Sequence, residues 1–179
     1  MTAIALNKRN ILIQGLRTVL TITAMALLPI LVHLIPFSGK TPLGAYLLPM
    51  FIAPLVSAFY LSPAGLVAAC LIGPPLNYVL TGMPDLTVLP TLIPELTIFS
   101  LIILWMIRNK ASFIGISTLA FVSAKFVSFA IKSIFLAKGF SLIMFGAFIT
   151  GLATSLPGLL ILFILERVLI SKTSENGQS

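Results

Sequence analysis

The sequence predicts an all-α polytopic membrane protein, a six-helix transmembrane bundle that forms a single domain. Of its 179 residues, 59% are hydrophobic and only 8% are charged, and the mean hydropathy is +1.16. Such a chain lacks the polar surface that a soluble globule presents to water. One crossing of the hydrocarbon core takes about 20 apolar helical residues, so this length holds about six crossings with short connections.

Short polar or proline-containing turns separate the predicted spans. The spans are predicted at residues 18–36, 43–60, 64–81, 88–107, 111–136 and 141–165. Residues 1–17 mix basic and apolar side chains, which predicts a short interfacial helix leading into the first span. Residues 171–179 form a polar tail.

Prolines disturb the third and fourth spans. Pro74 and Pro75 remove two backbone donors from the third span, which predicts a break or bend in its outer part. The fourth span follows the turn signal TGMPD at 81–85 and carries Pro90 and Pro94. We therefore expect an irregular start to that helix.

The basic residues that flank the spans predict the orientation of the chain. One side carries Lys8, Arg9, Arg17, Arg108, Lys110, Arg167 and Lys172, and the other carries Lys40 and Lys138. Cytoplasmic flanks of membrane proteins are enriched in Lys and Arg. Both termini are therefore predicted to be cytoplasmic, in a protein of the cell membrane.

Four ionisable side chains fall within the spans, where each is costly and so a candidate functional residue. They are His33, Glu95, Lys125 and Lys132. At a rise of about 1.5 Å per residue, Glu95 lies about 10 Å below the outer end of its span and Lys125 about 21 Å above the inner start of its own. In a core about 30 Å thick those depths coincide.

The outer half of the bundle also collects uncharged polar residues. The fifth span places polar residues and Phe121 on one helical face, which should turn inward because lipid would penalise it. The polar members of that face are Thr118, Lys125, Ser128 and Lys132. The predicted solute-binding residues are Glu95, Lys125, Asn77, Thr150, Ser128 and His33.

Structural roles compete with these binding roles. Glu95 and Lys125 can neutralise each other as an ion pair between two helices, an interpretation as well supported as ligand binding. Lys132 is favoured to reach the lipid headgroups, and His33 is favoured to pack between helices. The Asn77 side-chain amide can equally donate hydrogen bonds to the backbone carbonyls that Pro74 and Pro75 leave without a donor.

Several function classes are disfavoured by the composition. The chain has one histidine, no pair of carboxylates at catalytic spacing and no glycine-rich phosphate loop, so neither an enzyme nor a cofactor-binding or metal-binding protein is predicted. The net charge of +7 is spread between apolar segments, which argues against nucleic-acid binding. The inner half carries hydroxyls such as Thr21 and Ser117. It has no ionisable group between the cytoplasmic flanking charges and the level of Glu95, so no continuous hydrophilic path is expected.

Three short pieces of the segment 46–103 stand out: LPM at 48–50, LTGMP at 80–84 and EL at 95–96. In their order and spacing, residues 46–103 resemble the substrate-binding S-components of energy-coupling factor (ECF) transporters. The resemblance implies a six-helix subunit that binds a vitamin or similar micronutrient near the outer face. It further implies association with a transmembrane coupling protein and two cytoplasmic ATPases.

The first span departs from the family pattern. Many members carry two alanines separated by three residues there, which dock the coupling protein, and this chain lacks them. The small residues Thr18, Thr21 and Ala24 are predicted to replace that docking surface.

The leading hypothesis is thus a capture subunit of an ATP-driven importer. In it, Lys125 and in addition Lys132 can meet an anionic group of the solute, and Glu95 an amine or hydroxyl. The lipid bilayer surrounds this subunit. A scaffold protein of cell-envelope assembly is the main alternative, and a stand-alone carrier is a third. Alanine at Lys125 is predicted to abolish binding without loss of fold.

Overall fold

The computed structural model describes residues 2–36, 38, 43–109, 115–135 and 142–176, and within these ranges the chain is helical and has no strand. The helices are α1 (Thr2–His33), α2 (Leu43–Leu47), α3 (Pro49–Ser57), α4 (Pro63–Thr81), α5 (Leu89–Arg108), α6 (Ile116–Phe135), α7 (Leu142–Thr154) and α8 (Leu156–Asn176). The predicted all-α class is confirmed.

Four helices are long and apolar enough to cross a membrane: Arg9–His33 within α1, α4, α5, and Ile116–Ile134 within α6. A fifth crossing results if α7 and α8, which meet at a bend of 52°, form one span. These helices support a multi-pass membrane protein. They do not confirm six spans, because the second predicted span consists of the short helices α2 and α3.

The helix boundaries correct several predictions. Helix α1 is continuous from Thr2, so the predicted interfacial segment and first span form one helix. Helix α8 continues to Asn176, which places most of the predicted polar tail in a helix. Helix α4 runs unbroken through Pro74 and Pro75, so the predicted break is wrong. Proline fixes φ near helical values, and the lost hydrogen bonds alone do not interrupt this helix.

The break between α2 and α3 lies at Leu48. This residue has φ 52° and ψ 44°, a left-handed conformation that is unfavourable for a branched side chain. Its N–H donates to the Gly44 carbonyl at 3.1 Å, and its own carbonyl accepts from Phe51 N–H at 2.9 Å. Because Pro49 has no N–H, the chain cannot continue the α2 hydrogen-bond pattern at that position.

Three phenylalanines join α3, α5 and α6 in the core. The ring of Phe51 lies edge-on to Phe99 at a centroid distance of 5.0 Å and to Phe121 at 5.1 Å. All three side chains are buried. Edge-to-face aromatic pairs add about 1 kcal/mol each to the gain from burial alone, so this cluster holds the three helices together.

The predicted docking ridge on α1 lies inside the bundle. Thr21 is buried, and its Oγ1 lies 2.7 Å from Ser57 Oγ of α3. A Cβ built on Gly65 of α4 would lie 2.6 Å from Thr18 Oγ1, and Ala24 packs half-buried against the core. The ridge therefore forms contacts within the chain, while Thr18 and Ala24 remain partly exposed, and its role in docking stays a prediction.

The N-terminal end of α8 approaches the α2–α3 break closely. A Cβ on Gly158 would lie 2.6 Å from the Tyr46 carbonyl oxygen and 2.9 Å from the Leu47 carbonyl carbon. Gly158 of α8 thus allows the two backbones to pack closely. A Cβ at Gly146 or Gly151 would have no neighbour within 4 Å.

We expect Gly158→Ala to lower the free energy of unfolding by about 2 kcal/mol, because backbone atoms cannot make room for the methyl group. Thermal unfolding of the detergent-purified protein measures this loss. Gly146→Ala is the matched control, since its methyl group meets open space and replaces glycine in a helix. Equal melting temperatures for Gly158→Ala and wild type would contradict the close approach.

Candidate solute-binding site

A cavity of about 490 Å³ opens at one end of the bundle. Its polar lining comes from α1, α4, α6, α7 and the connections that follow α4 and α7, namely His33, Asn77, Asp85, Lys125, Thr154 and Ser155. Ligand sites for small molecules have volumes of about 300–1,000 Å³ and combine an apolar lining with a few polar groups. The cavity therefore has the size and composition of a small-molecule site.

The α2–α3 break forms part of this cavity wall. Gly44, Leu48 and Pro49 all line it. Irregular backbone at membrane depth is tolerated where it is buried in protein or lines a cavity, because its polar groups cannot face lipid. The interruption of the second predicted span is thus explained by its position at the site.

Glu95 and Lys125 form an ion pair beside the cavity. Lys125 Nζ lies 2.7 Å from Glu95 Oε1, and the side chains are 27% and 4% exposed. The ammonium group also lies 5.3 Å from the centroid of the Phe121 ring. The predicted coincidence in depth is confirmed for this pair. Glu95 is enclosed behind Lys125, and the lysine is the partner that reaches the cavity lining.

Asn77 lies in the cavity wall with its side chain almost wholly buried, at 1% exposure. Thr81 Oγ1 donates to the Asn77 backbone carbonyl at 2.8 Å and lies 3.5 Å from Oδ1. Across the described ranges, the side-chain amide nitrogen of Asn77 has no hydrogen-bond partner. It therefore does not donate to the backbone carbonyls near Pro74 and Pro75. Its donor capacity is available to a group inside the cavity.

A second, smaller crevice adjoins the cavity between α6 and α7. It has a volume of about 350 Å³, and its lining includes Lys125, Ser128, Lys132, Phe148 and Gly151. Lys125 and Gly151 line both the crevice and the cavity, so the two spaces adjoin each other. The prediction that the face of α6 bearing these polar residues turns inward is confirmed for Phe121 and Ser128, both of which are buried.

The structure brings most of the predicted site residues together. His33, Asn77 and Lys125 line the cavity, Ser128 lines the crevice, and Glu95 pairs with Lys125. Thr150 is exposed on α7, and its hydroxyl donates to the Gly146 carbonyl at 2.8 Å. It contributes to neither lining.

Sequence reasoning missed Asp85 and Ser155 as lining residues. Asp85 follows a turn signal, where an acidic residue is ordinarily solvated, so its position carried no signal of a site. Ser155 lies at the bend between α7 and α8, which was predicted as one straight span. Its hydroxyl donates to the Gly151 carbonyl at 2.7 Å.

Glu166 was also missed, and it lies at the other end of the bundle. Its carboxylate accepts the backbone N–H groups of Gly115, Ile116 and Ser117 at 3.2, 3.1 and 2.7 Å, and it also accepts the Ser117 hydroxyl. The side chain is buried at 2% exposure. It therefore caps the N-terminus of α6 from α8.

The cavity offers side chains that can hydrogen-bond to a small molecule. In the part of the chain that the structure describes, no three His, Cys, Asp or Glu side chains are grouped so that they could hold a metal ion. Asn77 and Lys125 offer hydrogen-bond donors, and Asp85 offers an acceptor. The fold and the site thus define a helical membrane protein with a solute-sized cavity at one end. No family model matches the chain, and no curated protein or solved structure shows significant similarity to it.

Proposed function

We propose that this chain is the substrate-capture subunit of an ECF-type importer. It binds a vitamin or related micronutrient from the outer face of the cell membrane. A transmembrane coupling protein and two cytoplasmic ATPases then drive uptake. The observation that carries this proposal is the cavity of about 490 Å³ at one end of the bundle, with Asn77 and Lys125 in its wall.

The packing below the cavity supports capture rather than free passage. Phe51, Phe99 and Phe121 fill the space between α3, α5 and α6. A solute bound above this cluster cannot cross the bundle unless the helices move. The sequence has no phosphate-binding loop of its own, so the proposal assigns the energy source to partner subunits.

The basic residues support an outward-facing cavity. Arg17 Nη1 donates to the Tyr60 carbonyl at 3.1 Å, in the turn before α4, and Arg108 ends α5. The cavity is lined instead by Asn77 near the end of α4 and by Val88 just before α5. Since basic residues favour the cytoplasmic side, both termini are proposed to be cytoplasmic and the cavity extracytoplasmic.

Solute capture is tested by native mass spectrometry of protein purified gently in detergent. We expect a retained small molecule, and we expect Asn77→Leu to reduce its occupancy at least about tenfold because a buried donor to the solute is lost. Thr23→Val is the matched control, since Thr23 is exposed on α1 and its hydroxyl donates to its own helix. A wild-type chain that retains nothing and binds no vitamin from a panel would refute the proposal.

Copurification tests the transport assignment separately. Recovery of a coupling protein and two ATPases with the tagged chain supports the importer. Recovery only with proteins of cell-envelope synthesis would support a scaffold instead. Solute uptake into liposomes that contain this chain alone would support a stand-alone carrier.

A further inference from the structure

We propose that the captured solute carries an oxyanion group, a carboxylate or a phosphate, and that this group binds Lys132 and Ser128 in the crevice between α6 and α7. This inference rests on the proposed function and specifies the chemistry of its substrate. The remainder of the solute then occupies the adjoining main cavity, because Lys125 and Gly151 line both spaces.

The charges around the crevice do not balance. The chain has four acidic residues, Asp85, Glu95, Glu166 and Glu175. Glu95 pairs with Lys125, Glu166 caps α6 at the opposite end, and Asp85 lines the main cavity but not the crevice. Glu175 belongs to the C-terminal end of α8. Across the described ranges, Lys132 has no ion-pair partner, so the crevice holds one ammonium group in excess.

Ser128 supplies a hydrogen-bond donor between the two lysines. It follows Lys125 by three positions and precedes Lys132 by four, so the three residues share one helical face. Serine and threonine in helices commonly donate to a carbonyl one turn earlier, as Thr97 and Ser100 do here. The Ser128 side chain is buried at 3% exposure, and its hydroxyl has no partner among the described residues.

The walls of the crevice strengthen this recognition. Phe129 and Phe148 both line it, and their ring centroids lie 5.1 Å apart. An apolar wall lowers the local dielectric constant and so strengthens a charge-assisted hydrogen bond. The unpaired ammonium group of Lys132 and the Ser128 hydroxyl in this setting match an oxyanion, which accepts several such bonds at once.

Inorganic phosphate is the probe for this subsite. The full chain is placed in nanodiscs of zwitterionic phosphatidylcholine, and its melting temperature is measured as phosphate replaces chloride at constant ionic strength. We expect a saturable rise in melting temperature for wild type. Lys132→Gln should weaken the apparent phosphate affinity at least about tenfold, and Ser128→Ala by several-fold.

Two further variants serve as controls for the phosphate measurement. Lys132→Arg keeps the positive charge and should retain most of the phosphate response, which separates loss of charge from misfolding. Lys172→Gln removes an exposed lysine of α8 and should leave the response unchanged. A wild-type protein without a saturable response, or one whose response survives Lys132→Gln, would overturn the subsite.

A lipid headgroup could supply the same oxyanion chemistry, so a second set of nanodiscs contains phosphatidylglycerol. If this anionic lipid abolishes the phosphate response of wild type, the crevice binds lipid and the assignment to the solute is wrong. A response that persists supports the solute. A retained micronutrient whose occupancy is unaffected by Lys132→Gln would overturn the subsite while leaving the capture function intact.

Discussion

Lys125→Met is expected to destabilise the protein by about 3 kcal/mol, and adding Glu95→Gln to the same chain is expected to restore most of that loss. The single substitution leaves a carboxylate that is only 4% exposed without its cation, which lies 2.7 Å away in the native chain. An uncompensated buried charge costs several kcal/mol. The double variant removes both charges and keeps side chains of similar size.

Thermal or denaturant unfolding of the two single variants and the double variant measures the coupling energy of the pair. Lys172→Met is the matched control, because it removes a lysine that is exposed near the end of α8. Additive effects, with the double variant less stable than either single variant, would show that the two side chains do not depend on each other.

The same variants decide between the two roles of the ion pair. Alanine at Lys125 alone cannot do so, because loss of stability would also abolish binding. From the 2.7 Å contact we expect such a variant to lose stability, whereas the sequence alone predicts that it keeps its fold. A folded double variant that retains no solute assigns the pair to binding, whereas full retention restricts it to holding α5 against α6.

The depth of the charged residues could be predicted because helical rise is regular. A constant rise per residue along two straight helices sufficed to place Glu95 beside Lys125. The inward face of α6 followed in the same way from helical periodicity, and Phe121 and Ser128 are buried as that pattern predicts. In uninterrupted helices, the depth of a residue can therefore be calculated from its position in the sequence.

The remaining features depend on contacts that spacing does not encode. A left-handed residue is usually predicted from a glycine, but here the residue is Leu48. The sequence therefore predicts a continuous second span. The face of α1 with Thr18 and Thr21 packs on α3 and α4, although small residues alone suit a partner protein equally well. Thr150 is exposed and lines neither the cavity nor the crevice, and its hydroxyl donates within its own helix.

Glu166 illustrates a different gap between sequence and structure. It ends a long apolar run and precedes Arg167, and nothing in that local sequence assigns it a partner. Its role emerges only when the start of α6 is placed against α8. The first backbone N–H groups of a helix lack partners within the helix, and a carboxylate favours that position because the helix dipole is positive there.

Glu166→Ala is expected to lower the free energy of unfolding by about 4 kcal/mol. The substitution leaves the N–H groups of Gly115, Ile116 and Ser117 without their acceptor in a buried place, and each unsatisfied donor costs about 1–3 kcal/mol. Glu166→Gln keeps one acceptor oxygen, so its loss should be smaller, about 2 kcal/mol.

Melting temperatures of the purified variants, measured alongside Arg167→Ala, test this expectation. Arg167 is the exposed neighbour of Glu166 on α8, so its substitution should change stability little. Because Glu166 lies at the end of the bundle opposite the cavity, protein that remains folded at low temperature should bind the solute with unchanged affinity. A Glu166→Ala variant as stable as Arg167→Ala would show that the carboxylate does not hold the start of α6.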